Sequence, residues 1–204
     1  LVNNVAPASR LLENMAQLPQ AVHVSAYGLT EISGVACHGS ADETDFERAH
    51  TCGRTFEGLE ARIVCPESQS ELGPDEEGEI QLRGYALCTD YYKDLEKTRA
   101  VMTEDGWLRT GDIGTLDAQG CLSFRGRLKD MLKVGGENVA ALEIEGLLLT
   151  HPAVKMAQVV GAPHGRLGEV PAAFIELSDS AHCGEEEIIQ FCRDNIASFK
   201  VPRI

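Results

Sequence analysis

The chain has 204 residues, 43% of them hydrophobic, enough to bury a core in one large or two small domains. Its formal charge of −14, from 18 Lys and Arg against 32 Asp and Glu, excludes a broad electrostatic footprint for nucleic acid or an anionic membrane, but leaves room for a small anion in a locally basic pocket. No run reaches the roughly 18 consecutive apolar residues of a membrane helix, "LVNNVAPASR" lacks the order of a secretory signal, and the seven cysteines form no CxxC pair, so a cytoplasmic protein with free, buried thiols and neither a zinc site nor a disulfide framework is expected.

In chain order, "PASRLLENMAQL" (7–18) predicts a helix with Pro7 in its first turn, and "AVHVS" (21–25) a short strand entering the turn "YGLTE", together one unit of a parallel sheet. From Gly53 to Arg127 the runs "LEARIVC", "GEIQLRG", "IGTLD" and "CLSFRG", separated by Gly, Pro and Asp turns, predict a small antiparallel sheet or barrel, interrupted by a helix near Asp94–Met102. Beyond it follow "MLKVGG", a helix "ALEIEGLLLTH", strands "VKMAQVVGA" and "VPAAFIEL", and a helix from Glu185 whose Ile188, Phe191, Cys192 and Ile196 share one face. The expected division is 1–126 (an α/β piece over 1–52 and a β-rich subdomain over 53–126), then a compact α+β domain over 127–204. "FKVPRI" reads as an unusual natural terminus, and truncation at both ends is expected.

Three stretches carry chemistry. In "SAYGLTE", Tyr27 can offer a ring face to a base, Thr30 a hydroxyl to a phosphate oxygen, and Glu31 a hard oxygen to Mg²⁺, although the same letters also describe a turn with a threonine cap. In "GWLRTGDIG", Asp112 at a strand edge could accept two hydrogen bonds from a vicinal diol, or simply cap its own turn, while the lone Trp107 is expected to pack. "GRLKDMLKVGGENV" (126–139) fails as a P-loop, because its lysines precede the glycines. Arg127 remains a charged fork for a ribose or phosphate oxygen, and Lys129 with Asp130 sits at the join between two textures, where a hinge belongs.

Taken in order, "YGLTE", "GEIQLRG" with "YYKDLEKT", "GWLRTGD", "GRLKDMLKVGGENV" and "IASFKVPR" resemble successive core motifs of the adenylate-forming superfamily, which holds acyl-CoA synthetases, peptide-synthetase adenylation domains and firefly-type luciferases. The resemblance implies an α/β and α+β fold: the end piece of the large N-terminal domain, with a sheet edge and a small β-barrel subdomain, then a small mobile C-terminal α+β domain. It implies that a carboxylate attacks the α-phosphate of ATP to give an acyl adenylate, from which a thiol displaces AMP. The cofactors implied are ATP, Mg²⁺ and CoA. Tyr27 would stack on adenine beside Gly28, Thr30 would hold phosphate, Glu31 would coordinate Mg²⁺, and Asp112 with Arg127 would bind the ribose. Lys129 matches the family's hinge, Gly135 and Gly136 the turn that reaches the CoA side, and Lys133 lies beside that turn.

"KVGGENVAALEIE" is similar to acyl- and aryl-CoA ligases, and "HPAVKMAQVVGAPHGRLGEVPAAFIEL" to the fatty-acid and medium-chain branch, so fatty acid metabolism is the expected setting. A carboxylic acid and CoA are the expected partners, with no nucleic acid and with homo-oligomerisation left open. The family's phosphate-binding loop and its C-terminal catalytic lysine would fall before residue 1 and after Ile204, "LVNNVAPAS" stands where relatives carry a Gly-Gly-Ala run, and Ala26 replaces a common glycine. The expected function is that of an internal fragment of an ATP-dependent acyl-CoA ligase, inactive alone. The alternatives are a module loading a carrier protein and a non-catalytic nucleotide-binding domain.

Overall fold

The computed structural model describes residues 2–3, 8–179 and 181–203. Pro7 and most of "LVNNVAPAS" lie outside the described residues. The chain divides into two compact units, Leu1–Leu128 and Lys129–Ile204.

The first unit begins with β1 (Val2–Asn3), α1 (Ala8–Gln17), β2 (Ser25–Tyr27), β3 (Cys37–His38), α2 (Asp45–His50) and β4 (Arg54–Thr55). These four strands form one sheet in the order β1-β2-β3-β4, parallel between the first two and antiparallel thereafter. The strand expected over "AVHVS" starts only at Ser25, because that is where pairing begins: Val2 faces Ser25 on one side and His38 faces Ala26 on the other. Helix α2 has a reciprocal cap. Thr44 Oγ1 accepts the Glu47 N–H at 3.2 Å, and the Glu47 carboxylate accepts the Thr44 N–H at 2.8 Å. Leu11 and Met15 of α1 pack on Ala49 of α2 in a small satellite core.

The β-rich segment comprises β5 (Leu59–Val64), β6 (Gly78–Gly84), α3 (Leu95–Val101), β7 (Leu108–Leu116) and β8 (Leu122–Arg127). Its strands make an antiparallel sheet in sequence order, open at β5 and β8, so the expected barrel is an open sheet. The inner strand β6 is buried at every position from Gly78 to Leu82, on both faces. Leu59, Ile63, Ile80, Leu82 and Leu122 join Tyr27, Ile32 and Cys37 of the preceding segment in one core. Backbone bonds tie the segments together, among them Cys52 N–H to Leu122 O at 2.6 Å, Leu122 N–H to Gly53 O at 2.8 Å and Cys88 N–H to Glu31 O at 2.7 Å. Trp107 packs as expected, 6% exposed, with the guanidinium groups of Arg62 and Arg83 lying 4.3 and 4.5 Å from its ring centroid.

The second unit holds β9 (Met131–Val134), β10 (Glu137–Ala140), α4 (Ala141–Leu148), β11 (Val154–His164), β12 (Gly168–Leu177) and α5 (Glu185–Asn195). Its sheet runs β10-β9-β12-β11, antiparallel throughout. Leu132, Val139, Ile144, Leu148, Val159, Ile188 and Cys192 form the core beneath the two helices, so Ile188 and Cys192 lie on the inner face that the α5 periodicity predicts. Three glutamates occupy the first turn of α5, where the helix dipole favours them.

All seven cysteines are free, but only Cys37, Cys52 and Cys192 are buried; the other four are partly exposed, against the expectation of uniformly buried thiols. Burial pushes the Cys37 thiol up to about 12. Among the described residues no helix is long and apolar enough to cross a membrane.

Candidate functional site

The site in the first unit grows out of the end of β2. After Tyr27 the chain enters a 3-10 turn, Thr30–Ile32, then reverses through Ser33 and Gly34, both at positive φ (62° and 114°). The returning backbone bonds Ala36 N–H to Tyr27 O at 2.8 Å and Gly34 N–H to Leu29 O at 3.1 Å. This reversal brings the chain so close that a Cβ on Gly28 would lie 1.9 Å from the Gly34 carbonyl oxygen and 2.6 Å from Val35 Cα. Gly28 is therefore required by the close approach of two backbone segments. Thr30 is left exposed on the turn, and Glu31 half-buried beside it.

Tyr27 is 7% exposed, with its ring stacked on Phe124 at a centroid distance of 5.9 Å. Little ring face is free, and what the residue presents is its hydroxyl, which donates to Asp112 Oδ2 at 2.8 Å. Burial first, then the Asp112 charge, pushes the Tyr27 phenol far above its ordinary range, so it stays a neutral donor. Asp112 lies within β7, not at its edge, and is 4% exposed. The register sets Arg127 of β8 opposite it, with Arg127 Nε 3.1 Å from Asp112 Oδ1. A buried carboxylate must be compensated, and here a phenol and a guanidinium engage one oxygen each. Each oxygen has two lone pairs, so further acceptance from a diol fits the chemistry of the group.

Glu31 is tied down by a residue 60 positions further along the chain. The Tyr91 hydroxyl donates to its Oε1 at 2.6 Å. That bond, and the weaker pull of the Lys97 and Arg127 charges, hold the Glu31 carboxyl below the usual carboxylate range. The same bond pushes the Tyr91 phenol up to about 12. Lys97 of α3 lies 4.1 Å from the Tyr91 ring centroid, which fixes the aromatic ring from above. Glu31 thus remains ionised, with Tyr91 committed to one of its oxygens. A single ionised carboxylate alongside phosphate oxygens is a donor set that fits Mg²⁺.

Tyr27, Gly28, Thr30, Glu31, Asp112 and Arg127 all belong to the first unit, linked by the Tyr27–Asp112–Arg127 chain of contacts and by the reach of the Arg127 charge to Glu31. Lys133, Gly135 and Gly136 belong to the second. Lys129 opens that unit, in a 3-10 turn over Leu128–Asp130, with its side chain exposed. Lys133 and Val134 end β9, and Gly135–Gly136 form the two-residue connection to β10, both at positive φ (63° and 97°). Leu167 O accepts the Gly135 N–H at 2.8 Å, and Glu169 accepts the Lys133 N–H at 2.9 Å, so the hairpin tip is anchored to the start of β12. A Cβ on Gly136 would meet nothing within 4 Å. An open, side-chain-free tip suits the close passage of a slender ligand arm, which is the property a CoA pantetheine would need.

Two residues escape the motif reading, Tyr91 and Thr110. Tyr91 sits inside the quoted "YYKDLEKT", but neither spacing nor residue type distinguishes it from Tyr92, which is exposed. Thr110 precedes Gly111 and accepts the Asp112 N–H at 3.1 Å while donating to Ile80 O at 2.6 Å, pinning the bend that aims Asp112 inward.

The "AMP-binding enzyme" family model matches residues 4–92, and the "AMP-binding enzyme C-terminal domain" model matches residues 143–204. Asp112, Arg127 and the Gly135–Gly136 turn fall between the two. YngI of Bacillus subtilis (strain 168) is 42% identical over 178 residues, 87% of this chain and 32% of the relative. Medium-chain acyl-CoA ligase ACSF2, mitochondrial, of Danio rerio is 39% identical over 180 residues, 88% of this chain and 30% of the relative. The crystal structure of ATP-bound MatB from Rhodopseudomonas palustris superposes with a TM-score of 0.88 at 31% identity, over 97% of this chain and 39% of that one. The chain spans about a third of the length of these relatives.

Proposed function

We propose, for a chain that belongs to the adenylate-forming, AMP-binding superfamily, that it supplies the nucleotide-binding end and the mobile domain of an ATP-dependent acyl-CoA ligase. The observation that carries this reading is the buried Asp112, held by Arg127 across the β7–β8 pair and by Tyr27 from β2, with the Arg127 charge also reaching an ionised Glu31.

In this reading Asp112 accepts the two ribose hydroxyls. Arg127, half-exposed, holds the carboxylate and reaches toward the ribose, and Tyr27 supports Asp112 from beneath rather than offering a free face to adenine. Thr30 donates to a phosphate oxygen. Glu31 holds Mg²⁺, kept ionised by Tyr91; the cation offsets charge on the phosphates when bound. Lys129 acts as the hinge, and Gly135 with Gly136 admits the CoA arm beside Lys133. The domain boundary that the hinge needs is proposed at residues 126–129.

The relatives' names include an acyl-CoA ligase, which supports CoA over a carrier protein as thiol acceptor. A cytoplasmic setting and fatty-acid substrates are part of the proposal; the zebrafish relative is itself named mitochondrial. For the 204-residue chain by itself, spanning a third of its relatives, adenylation is proposed to be absent.

The test uses the full-length protein that contains this chain, assayed for pyrophosphate exchange with ATP across a panel of carboxylic acids and then for thioester formation. Acid-dependent exchange followed by transfer to free CoA is expected. Exchange without any acid dependence, or tight binding of an acyl-AMP analogue with no turnover, overturns the ligase reading, and transfer only to a phosphopantetheinyl carrier overturns the CoA assignment.

A further inference from the structure

Away from the nucleotide-side residues, the second unit gathers a mixed set of donors. His151 lies in the turn after α4, Cys183 in the loop before α5, and Glu187 in the first turn of α5. Their ligating atoms all lie within 4.8 Å of one another, the one such group among the described residues. We propose that His151, Cys183 and Glu187 form a zinc-class divalent cation site that ties the start of α5 to the turn following α4.

The chemistry of the donor set supports this assignment. An imidazole nitrogen, a thiolate sulfur and a carboxylate oxygen together suit a borderline cation such as Zn²⁺, whereas Mg²⁺ or Ca²⁺ would call for oxygen ligands alone. Three protein ligands leave a fourth tetrahedral position for water or a neighbouring donor.

The orientation of His151 is already set. It is 8% exposed, its ring meets Phe191 edge-on at 4.8 Å, and the Ala153 N–H donates to Nδ1 at 3.2 Å. Ligation through Nε2 requires the ring proton to move to Nδ1, which releases that long backbone bond, a small loss against a metal–nitrogen bond. Cys183 releases its proton to solvent as the metal–sulfur bond forms.

The three residues also bring together separate elements of one core, α4 through its following turn and α5 through its first turn, and that core includes Leu148, Ile188 and Cys192. A cation bound there would cross-link the folded unit and be lost on unfolding, so binding is expected to raise the unfolding temperature.

The experiment strips the purified protein with a chelator and titrates Co²⁺ as a spectroscopic stand-in for Zn²⁺. One site per chain with a sulfur-to-cobalt charge-transfer band is expected, together with a higher Tm on adding Zn²⁺. Cys183→Ser should abolish the band, and Glu187→Gln should weaken binding by at least about 10-fold, the scale on which even outer partners of a metal site matter. Cys183 and Glu187 both reach solvent, so these variants should fold, as circular dichroism would verify; His151 is avoided because it is buried. A cobalt spectrum with no charge-transfer band, a band that survives Cys183→Ser, or a Tm indifferent to Zn²⁺ overturns the proposal.

Discussion

At the level of single residues, the site turns on how two carboxylates are held by different means. Asp112 is buried and held by Tyr27 and Arg127, whereas Glu31 is half-buried and held first by the Tyr91 hydroxyl. Tyr27→Phe keeps the ring on Phe124 but removes one donor from a buried acceptor, so unfolding by denaturant should show a loss of about 1–3 kcal/mol. An unchanged midpoint would mean that water replaces the hydroxyl. For Glu31 the folded-state pKa is depressed, so its contribution to stability is present above the ordinary carboxylate pKa and is lost as pH falls through the lower, folded value. Tyr91→Phe removes the largest cause of that depression, and the acid limb of the Mg²⁺-dependent adenylation proposed for the full-length protein should move to higher pH. A limb that stays in place would show that the Lys97 and Arg127 charges suffice. The types and order of Tyr27, Thr30, Glu31, Asp112 and Arg127 are legible as motif letters. Their mutual support is not, because the Tyr27–Asp112 and Tyr91–Glu31 bonds each join residues far apart in the chain, and no local spacing encodes them.

At the level of elements, legibility follows pairing. The six-residue β5 and the seven-residue β6 carry their own periodic or continuous apolar pattern, and the sequence locates both within a residue or so. The two-residue strands β1, β3 and β4 exist only because a neighbour pairs with them, so nothing in their letters announces them. Helix α2 is a different case: Thr44 and Glu47 form a capping-box signature that its letters carry without any apolar periodicity beside it to mark a helix. The hairpin β9–β10 is legible only in part: "MLKV" and the Gly-Gly pair mark a strand and a turn at positive φ, whereas Glu137–Ala140 carries no apolar run and becomes a strand because it pairs with β9. It also makes the sharpest functional prediction at this scale. At Gly136 a Cβ meets nothing within 4 Å, so Gly136→Val chiefly adds strain at φ +97° and bulk at the tip. In the full-length protein it should leave acid-dependent pyrophosphate exchange within about 2-fold while slowing thioester formation by about 10-fold or more, the scale of a misplaced contact near a reacting arm. Equal losses in both half-reactions would remove the tip from the CoA side.

At the level of the whole chain, the decisive feature is that each unit has its own core. Ile80, Leu82 and Leu122 are buried in the first unit, and Val139, Ile144 and Leu148 in the second, with the boundary at Leu128/Lys129. A change of texture near Arg127 foreshadows that boundary in the sequence, because β-rich runs give way there to mixed helix and strand. What the texture leaves out is how completely the apolar residues segregate, and this depends on which strands pair. Since the cores are separate, the units should report separately on unfolding. Leu148 is fully buried, so Leu148→Ala should cost the second unit about 2–5 kcal/mol, the range for deleting a buried leucine side chain. In hydrogen-exchange measurements, protection should fall across β9, β11 and α5 while β5, β6 and β7 keep theirs. A uniform loss of protection through both units would show one cooperative body, and the hinge assigned to Lys129 would then have no independent domain to turn.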